Sequence, residues 1–299
     1  MPNGCSRTTG PRAPRASHGP IPRGGRGSAG GCGGRGRACP GSHPARRRDR
    51  HREFRLQAVG AVTTLARSVN PATSLRRRIE EVRDRIDRAS IRSGRRSADV
   101  TLVAVVKTVA VDVVREAVDH GLGDLGESRV QEAERHIATL GRAAARWHMV
   151  GHLQRNKAGR AVELFDRLHG VDRAEIAAAL SRHARNRGAT VSALVEVNVS
   201  GEPTKFGVAP ERLEALLAEV ATLPGLRVDG LMTVGPPVER TADARPGFAR
   251  LRTLRDRAAE RLGLKLPELS MGMSADFEAA VEEGSTLVRI GAALFGPRE

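Results

Sequence analysis

One lysine, Lys107, closes an apolar run, TLVAVVK at 101–107. Burial disfavours the ammonium form of such a side chain and leaves a nucleophilic amine. A neutral amine attacks a carbonyl carbon and forms a Schiff base. Two chemistries therefore suit Lys107: a substrate carbonyl, as in an aldolase, or the aldehyde of pyridoxal phosphate. The inert alternative is a lysine whose stem packs while its charge escapes at the strand end. Two later stretches carry complementary groups. SMGMSADF (270–277) sets Ser270, Gly272 and Ser274 before a helix, with Asp276 in its first turn. Hydroxyls and backbone N–H groups in such a place suit a phosphate dianion, although Ser274 also reads as an ordinary N-cap. GSTLVRIGAALFG (284–296) adds Arg289 and Gly291. A permanently charged arginine beside a pyridine nitrogen keeps that nitrogen unprotonated and weakens the ring as an electron sink.

These groups need a frame that brings distant segments together. From SLRRRIEEVRDRIDRASIRSG (74–94), with Leu75, Ile79, Val82 and Ile86 at helical spacing, the pattern is regular. Strands are expected at 101–107, 124–128, 146–153, 167–172, 193–200, 227–234, 268–273 and 287–296. Helices are expected between them at 111–120, 129–140, 155–163, 173–187, 209–222, 245–262 and 275–283. Strands alternating with helices imply a parallel sheet, and eight repeats over roughly 230 residues have the size of a (β/α)8 TIM barrel. The competing open, doubly wound sheet usually carries a glycine-rich loop after its first strand, where this chain has KTVAVD. In the barrel, ligands sit where strands end. The strand ends here are Lys107, Glu127-Ser128, Gly151-His152, Asn198–Ser200, Met232-Thr233, Met271–Ser274 and Arg289–Gly291. Loops from the last two strands form the usual phosphate cradle of such a barrel.

The formal net charge of +16 first suggests a partner such as nucleic acid. Its distribution argues otherwise: residues 1–70 hold 14 arginines against only Asp49 and Glu53, so the remainder is nearly balanced. That leader is rich in Gly, Pro and Arg, contains all three cysteines, and is expected to be disordered. It reads as a transit peptide or as the product of a start site assigned too far upstream, and the barrel domain is expected at 71–299. Its Gly-Arg clusters lack interleaved aromatics, so RNA binding by the tail would rest on charge alone. No apolar stretch is long enough to span a membrane. His148 and His152 lie four apart, but on a strand that spacing is ~13 Å and holds no common metal. Lys205 reads as a solvated loop lysine or as a second site that receives or passes on the aldehyde. Asn156 and Lys157 open a helix near the mouth, and Trp147 and Phe206 read as packing residues.

Six strings together resemble one family: AVVKT, GESRVQEA, WHMVGHLQRNK, VEVNVSGEPTKFGV, GLMTVGPP and LSMGMSADFEAAVEEGSTLVRIGAALFG. In unbroken order over about residues 74–298, they look like the pyridoxal phosphate homeostasis proteins, the YggS-like family. The resemblance implies the fold type III barrel of the alanine racemase N-terminal domain, with the cofactor on Lys107 as a Schiff base. It also implies a phosphate on the 270–274 and 289–291 loops (Ser270, Gly272, Ser274, Gly291), with Arg289 beside the pyridine nitrogen and Met232 at the cofactor site. One departure is Ser128, where the family more often has Asn; both can donate and accept hydrogen bonds. The resemblance implies a cytoplasmic carrier that hands pyridoxal phosphate to apo-enzymes rather than a catalyst. The alternative is an amino-acid racemase or decarboxylase. Racemases of this fold take a second base, a Tyr, from an additional C-terminal β-domain, and this sequence contains no Tyr and ends just after the eighth strand. Whether the protein is a monomer or a homodimer stays open at this level.

Overall fold

The computed structural model describes residues 71–235 and 241–297. The leader, and with it the expectation of disorder, lies outside the described residues. Eight parallel strands close into a barrel in chain order. They are β1 (Thr101–Val105), β2 (Asp124–Glu127), β3 (Arg146–Met149), β4 (Arg167–Val171), β5 (Val191–Glu196), β6 (Leu226–Met232), β7 (Glu268–Ser270) and β8 (Leu287–Ile290). The ring shuts where β8 pairs with β1, Ala104 against Ile290.

The helices are α1 (Pro71–Arg92), α2 (Val111–Asp119), α3 (Val130–Leu140), α4 (Ala158–Leu164), α5 (Ala174–Asn186), α6 (Leu213–Val220), α7 (Arg245–Leu262), α8 (Phe277–Glu282) and α9 (Ala292–Phe295). In α1, Leu75, Ile79, Val82, Ile86 and Ala89 are all buried, as their 3–4 residue spacing requires. This face packs on α8. There the Arg85 guanidinium lies 4.5 Å above the Phe277 ring and pairs with Glu278 at 2.9 Å.

All eight strands stop earlier than their sequence runs suggest, and three of them by four residues or more. β3 ends at Met149 rather than 153, β5 at Glu196 rather than 200, and β8 at Ile290 rather than 296. Local polar bonds end the last two. The Asn198 side-chain oxygen accepts from the Gly201 N–H and the Ser200 hydroxyl, which folds the chain into a loop. Ser274 Oγ accepts from the N–H groups of Gly291 and Ala293, and α9 starts where a strand was expected. The apolar residues beyond these points still bury Val197, Val199 and Leu294 in the outer core, so their hydrophobicity does not report strand length.

Alternate residues face the lumen in layers, as strand pleating dictates. The lower layer is ionic: Asp124 accepts from Arg146, Arg167 donates to Ser192 and Glu268, and Ser192 donates to Asp229. Above it, Val103, Leu194, Met232 and Leu287 form a small apolar cluster with Val150, separate from the outer core between strands and helices.

Candidate functional site

Lys107 is half-buried just past β1, on the strand-end face of the barrel. The Val109 N–H donates to Val106 O at 3.0 Å and closes a turn whose central residues are Lys107 and Thr108. Thr108 has φ +64°, a value that glycine normally supplies at that turn position. A β-branched residue there costs about 1–3 kcal/mol and persists only where its surroundings fix it. Two bonds do so. Val106 N–H donates to Gly126 O at 2.9 Å. Val109 O accepts from His136 Nε2 at 3.1 Å. His136 Nδ1 meets Glu127 Oε1 at 2.6 Å, and the Glu127 carboxylate raises the imidazole above its ordinary range despite burial. The Lys107 turn is thus tied to β2 and α3 together.

Beside this turn lies the β8 end. A side chain at Gly291 would meet Val105 O at 3.4 Å, so the two loops are neighbours. Of the two readings of Ser274, the N-cap is not the one the fold adopts: Asp276 holds that position on α8. The Asp276 carboxylate accepts the Met273 N–H at 2.6 Å, while the Ser274 hydroxyl joins the two loops that flank the mouth. Gly272 has φ +92°, and a methyl group there would sit 2.5 Å from Ala280 Cβ and 2.9 Å from Phe277 Cα. The loop therefore lies hard against α8. The Gly272 carbonyl also accepts the Arg289 N–H at 3.0 Å.

Arg289 is 5 % exposed. It donates to Ser270 Oγ at 2.6 Å and to Thr233 O at 2.8 Å. Burial lowers it to about 10, while Glu196 and Asp276 pull it back, so it stays a cation at neutral pH. Ser270 is fully buried with its hydroxyl committed to Arg289 and His169. Met232 belongs to the apolar cluster in the lumen, beneath the mouth.

Glu196, the last residue of β5, is buried, and burial with the nearby Asp172 carboxylate raises it to about 7 against the pull of Arg289. Sequence reading missed it because the strand was drawn to Ser200. The signal was present: one acid inside ALVEVNV. His148 and His152 are not partners. His148 faces the lumen and bonds Asp124 and His169, whereas His152 stacks on Phe206 with ring centroids 4.0 Å apart. Phe206 is 57 % exposed, so it is a surface ring rather than a core residue. Trp147 is fully buried. Lys205 pairs with Glu202 at 2.8 Å and is mostly covered. Among the described residues, no three His, Cys, Asp or Glu side chains cluster as metal ligands. A cavity of about 700 Å³ opens beside the mouth between the loops after β2 and β3, lined by Ser128, Arg135, His152 and Lys157 among others. Lys107 is not among its walls.

Residues 77–299 match the family described as alanine racemase, N-terminal domain, and the closed eight-stranded barrel is the fold of that class. Pyridoxal phosphate homeostasis proteins from Aquifex aeolicus and Pseudomonas aeruginosa are 42% and 45% identical, each over 74% of this chain and over 97% and 94% of the relative. The structure of PipY from Synechococcus elongatus with PLP bound superposes with a TM-score of 0.67 at 35% identity, covering 74% of this chain and 100% of that one. The chain belongs to the pyridoxal phosphate homeostasis protein family.

Proposed function

We propose that this protein holds pyridoxal phosphate on Lys107 and supplies it to other proteins as part of vitamin B6 homeostasis. One observation carries the reading: the strained, clamped Lys107 turn, the joined Ser274–Gly291 loops and the buried Arg289 lie on one end of one barrel. The donor set fits the group. Lys107 supplies an amine for its aldehyde, Ser274 and the backbone at 272–274 and 291 suit its phosphate, and Arg289 suits its ring nitrogen. When bound, the cofactor supplies an aldehyde and an electron-accepting ring; a cationic Arg289 at the ring nitrogen opposes protonation there and blunts that acceptor. Its relatives' name, and the PLP in the PipY structure, support the same reading.

Glu196 favours a second reading, because a carboxyl titrating near neutrality at the mouth is the kind of group a racemase or decarboxylase uses. Against turnover, the chain has no Tyr for the base that racemases of this fold use. The recipients are proposed to be apo-enzymes, and the compartment the cytoplasm. No described helix is long and apolar enough to cross a membrane.

Purified protein is expected to be yellow after loading, and borohydride reduction should leave a pyridoxyl group on Lys107. Lys107→Ala should stay colourless. Label on Lys205 or Lys157 instead would refute the assignment. Incubation with L- or D-alanine should give no racemisation or decarboxylation, and an apo-enzyme mixed with loaded protein should gain activity as the donor loses colour. Turnover that Glu196→Gln abolishes would establish the second reading.

A further inference from the structure

Five polar side chains from five strands form one unbroken hydrogen-bonded line through the barrel. Asp124 Oδ1 meets His148 Nε2 at 2.9 Å, His148 Nδ1 meets His169 Nε2 at 3.0 Å, and His169 Nδ1 meets Ser270 Oγ at 2.9 Å. Ser270 Oγ in turn accepts from Arg289 at 2.6 Å. All five residues are at most 8 % exposed. The lower end, Asp124 with Arg146, lines a cavity of about 600 Å³ on the opposite face from Lys107.

With both rings neutral, one direction satisfies every member of the line. Arginine only donates, so Ser270 Oγ accepts from Arg289. The serine proton then goes to His169 Nδ1, its other partner in the chain. His169 is therefore protonated on Nε2 alone and donates to His148 Nδ1. His148 must carry its own proton on Nε2 and donate to the Asp124 carboxylate. Complete burial, with His148 and Arg289 nearby, pushes His169 well below the ordinary histidine range, in agreement. Burial opposes ionisation of Asp124, but the bonds from His148 and Arg146 hold it below its usual value, so the carboxylate end persists.

We propose that Asp124, His148 and His169 are positioning residues: through Ser270 they form a one-way hydrogen-bond chain along the barrel axis that orients the Arg289 guanidinium toward the ring of bound pyridoxal phosphate. The proposal rests on the cofactor reading above. A polarised chain of donors ending on a carboxylate strengthens each bond in it and leaves Ser270 a better acceptor. The guanidinium is then held at Ser270 and Thr233.

Two measurements on the full chain test this. In the cofactor-free protein with ¹⁵N-labelled histidine, His148 and His169 should each show a proton on Nε2 only at pH 8. A proton on Nδ1 of either ring would break the chain's direction and overturn the proposal. In the loaded protein, His169→Leu should shift the visible band of the cofactor and weaken its binding about tenfold, the worth of one charge-assisted bond. His169→Gln, which can still accept from Ser270 and donate to His148, should restore most of both. Asp124→Asn, at the far end, should shift the band in the same sense as His169→Leu. Unchanged spectra in His169→Leu and Asp124→Asn, or equal changes in the Leu and Gln variants, would overturn the proposal. If His169→Leu does not fold, the Asp124→Asn spectrum and the histidine protons decide. A wild-type protein that takes up no cofactor would overturn the role toward the ring. In that case the histidine protons would still report whether the chain exists, which separates this failure from that of the hydrogen-bond assignment.

Discussion

Glu196 sets a pH dependence at the residue scale. Its folded value of about 7 lies above the ordinary 4.5, chiefly through burial and then Asp172. The unfolded chain releases this proton first, so between those two values the folded state binds more protons than the unfolded state. Stability therefore falls as pH rises through this window, and above it the cost is about 3 kcal/mol. Glu196→Gln in the cofactor-free protein should be close to wild type at pH 4.5 and more stable by up to that amount at pH 8. Urea unfolding at the two pH values measures the difference; an equal effect at both would show that Glu196 is not the group responsible. Lys107, by contrast, was legible at once as one charge closing an apolar run. Glu196 is equally isolated in its strand, but the apolar Val197 and Val199 that follow it hid which residue came last.

Among the elements, the β7–α8 connection carries the sharpest steric constraint. Gly272→Ala forces a left-handed backbone on a residue with a side chain, and its methyl group strikes both Ala280 and Phe277. A loss of about 2–4 kcal/mol is expected, together with weaker cofactor binding, because the loop must move off α8. Gly94→Ala is the control: its φ is +68° but nothing lies within 4 Å, so it should lose only the backbone cost of about 1–2 kcal/mol and leave binding unchanged. Denaturant unfolding and a cofactor titration of both variants distinguish the cases. Similar losses in both would mean that backbone strain, not the contact with α8, sets the cost at Gly272.

For the molecule as a whole, closure of the barrel leaves no sheet edge exposed, and each strand is paired on both sides. Cofactor binding then adds to the stability of one cooperative unit. At a free concentration of 100 times Kd the gain is about 2.7 kcal/mol, and for a domain of this size that corresponds to a rise in Tm of about 5–10 °C. Thermal unfolding with added pyridoxal phosphate should show this rise in the wild type and little of it in Lys107→Ala. A full shift in the variant would place the tight site away from Lys107.

The alternation of apolar strands with amphipathic helices determined the barrel, and the residue types after each apolar run determined which face would carry chemistry. Both are local properties, written in periods of two and about 3.6 residues. Strand ends were less legible, because Val197, Val199 and Leu294 bury in the outer core whether or not they lie in strands. Ser274 carried two local readings, cap and ligand. Only the approach of the β8 loop decided that its hydroxyl binds Gly291 and Ala293. The axial chain had no sequence signature at all. Asp124, His148, His169, Ser270 and Arg289 are separated by about 20 to 100 residues from one to the next, and their contacts depend on the register of five strands and on closure. A one-residue slip in any of those strands would turn its member outward, so the tertiary structure alone decided that these side chains meet.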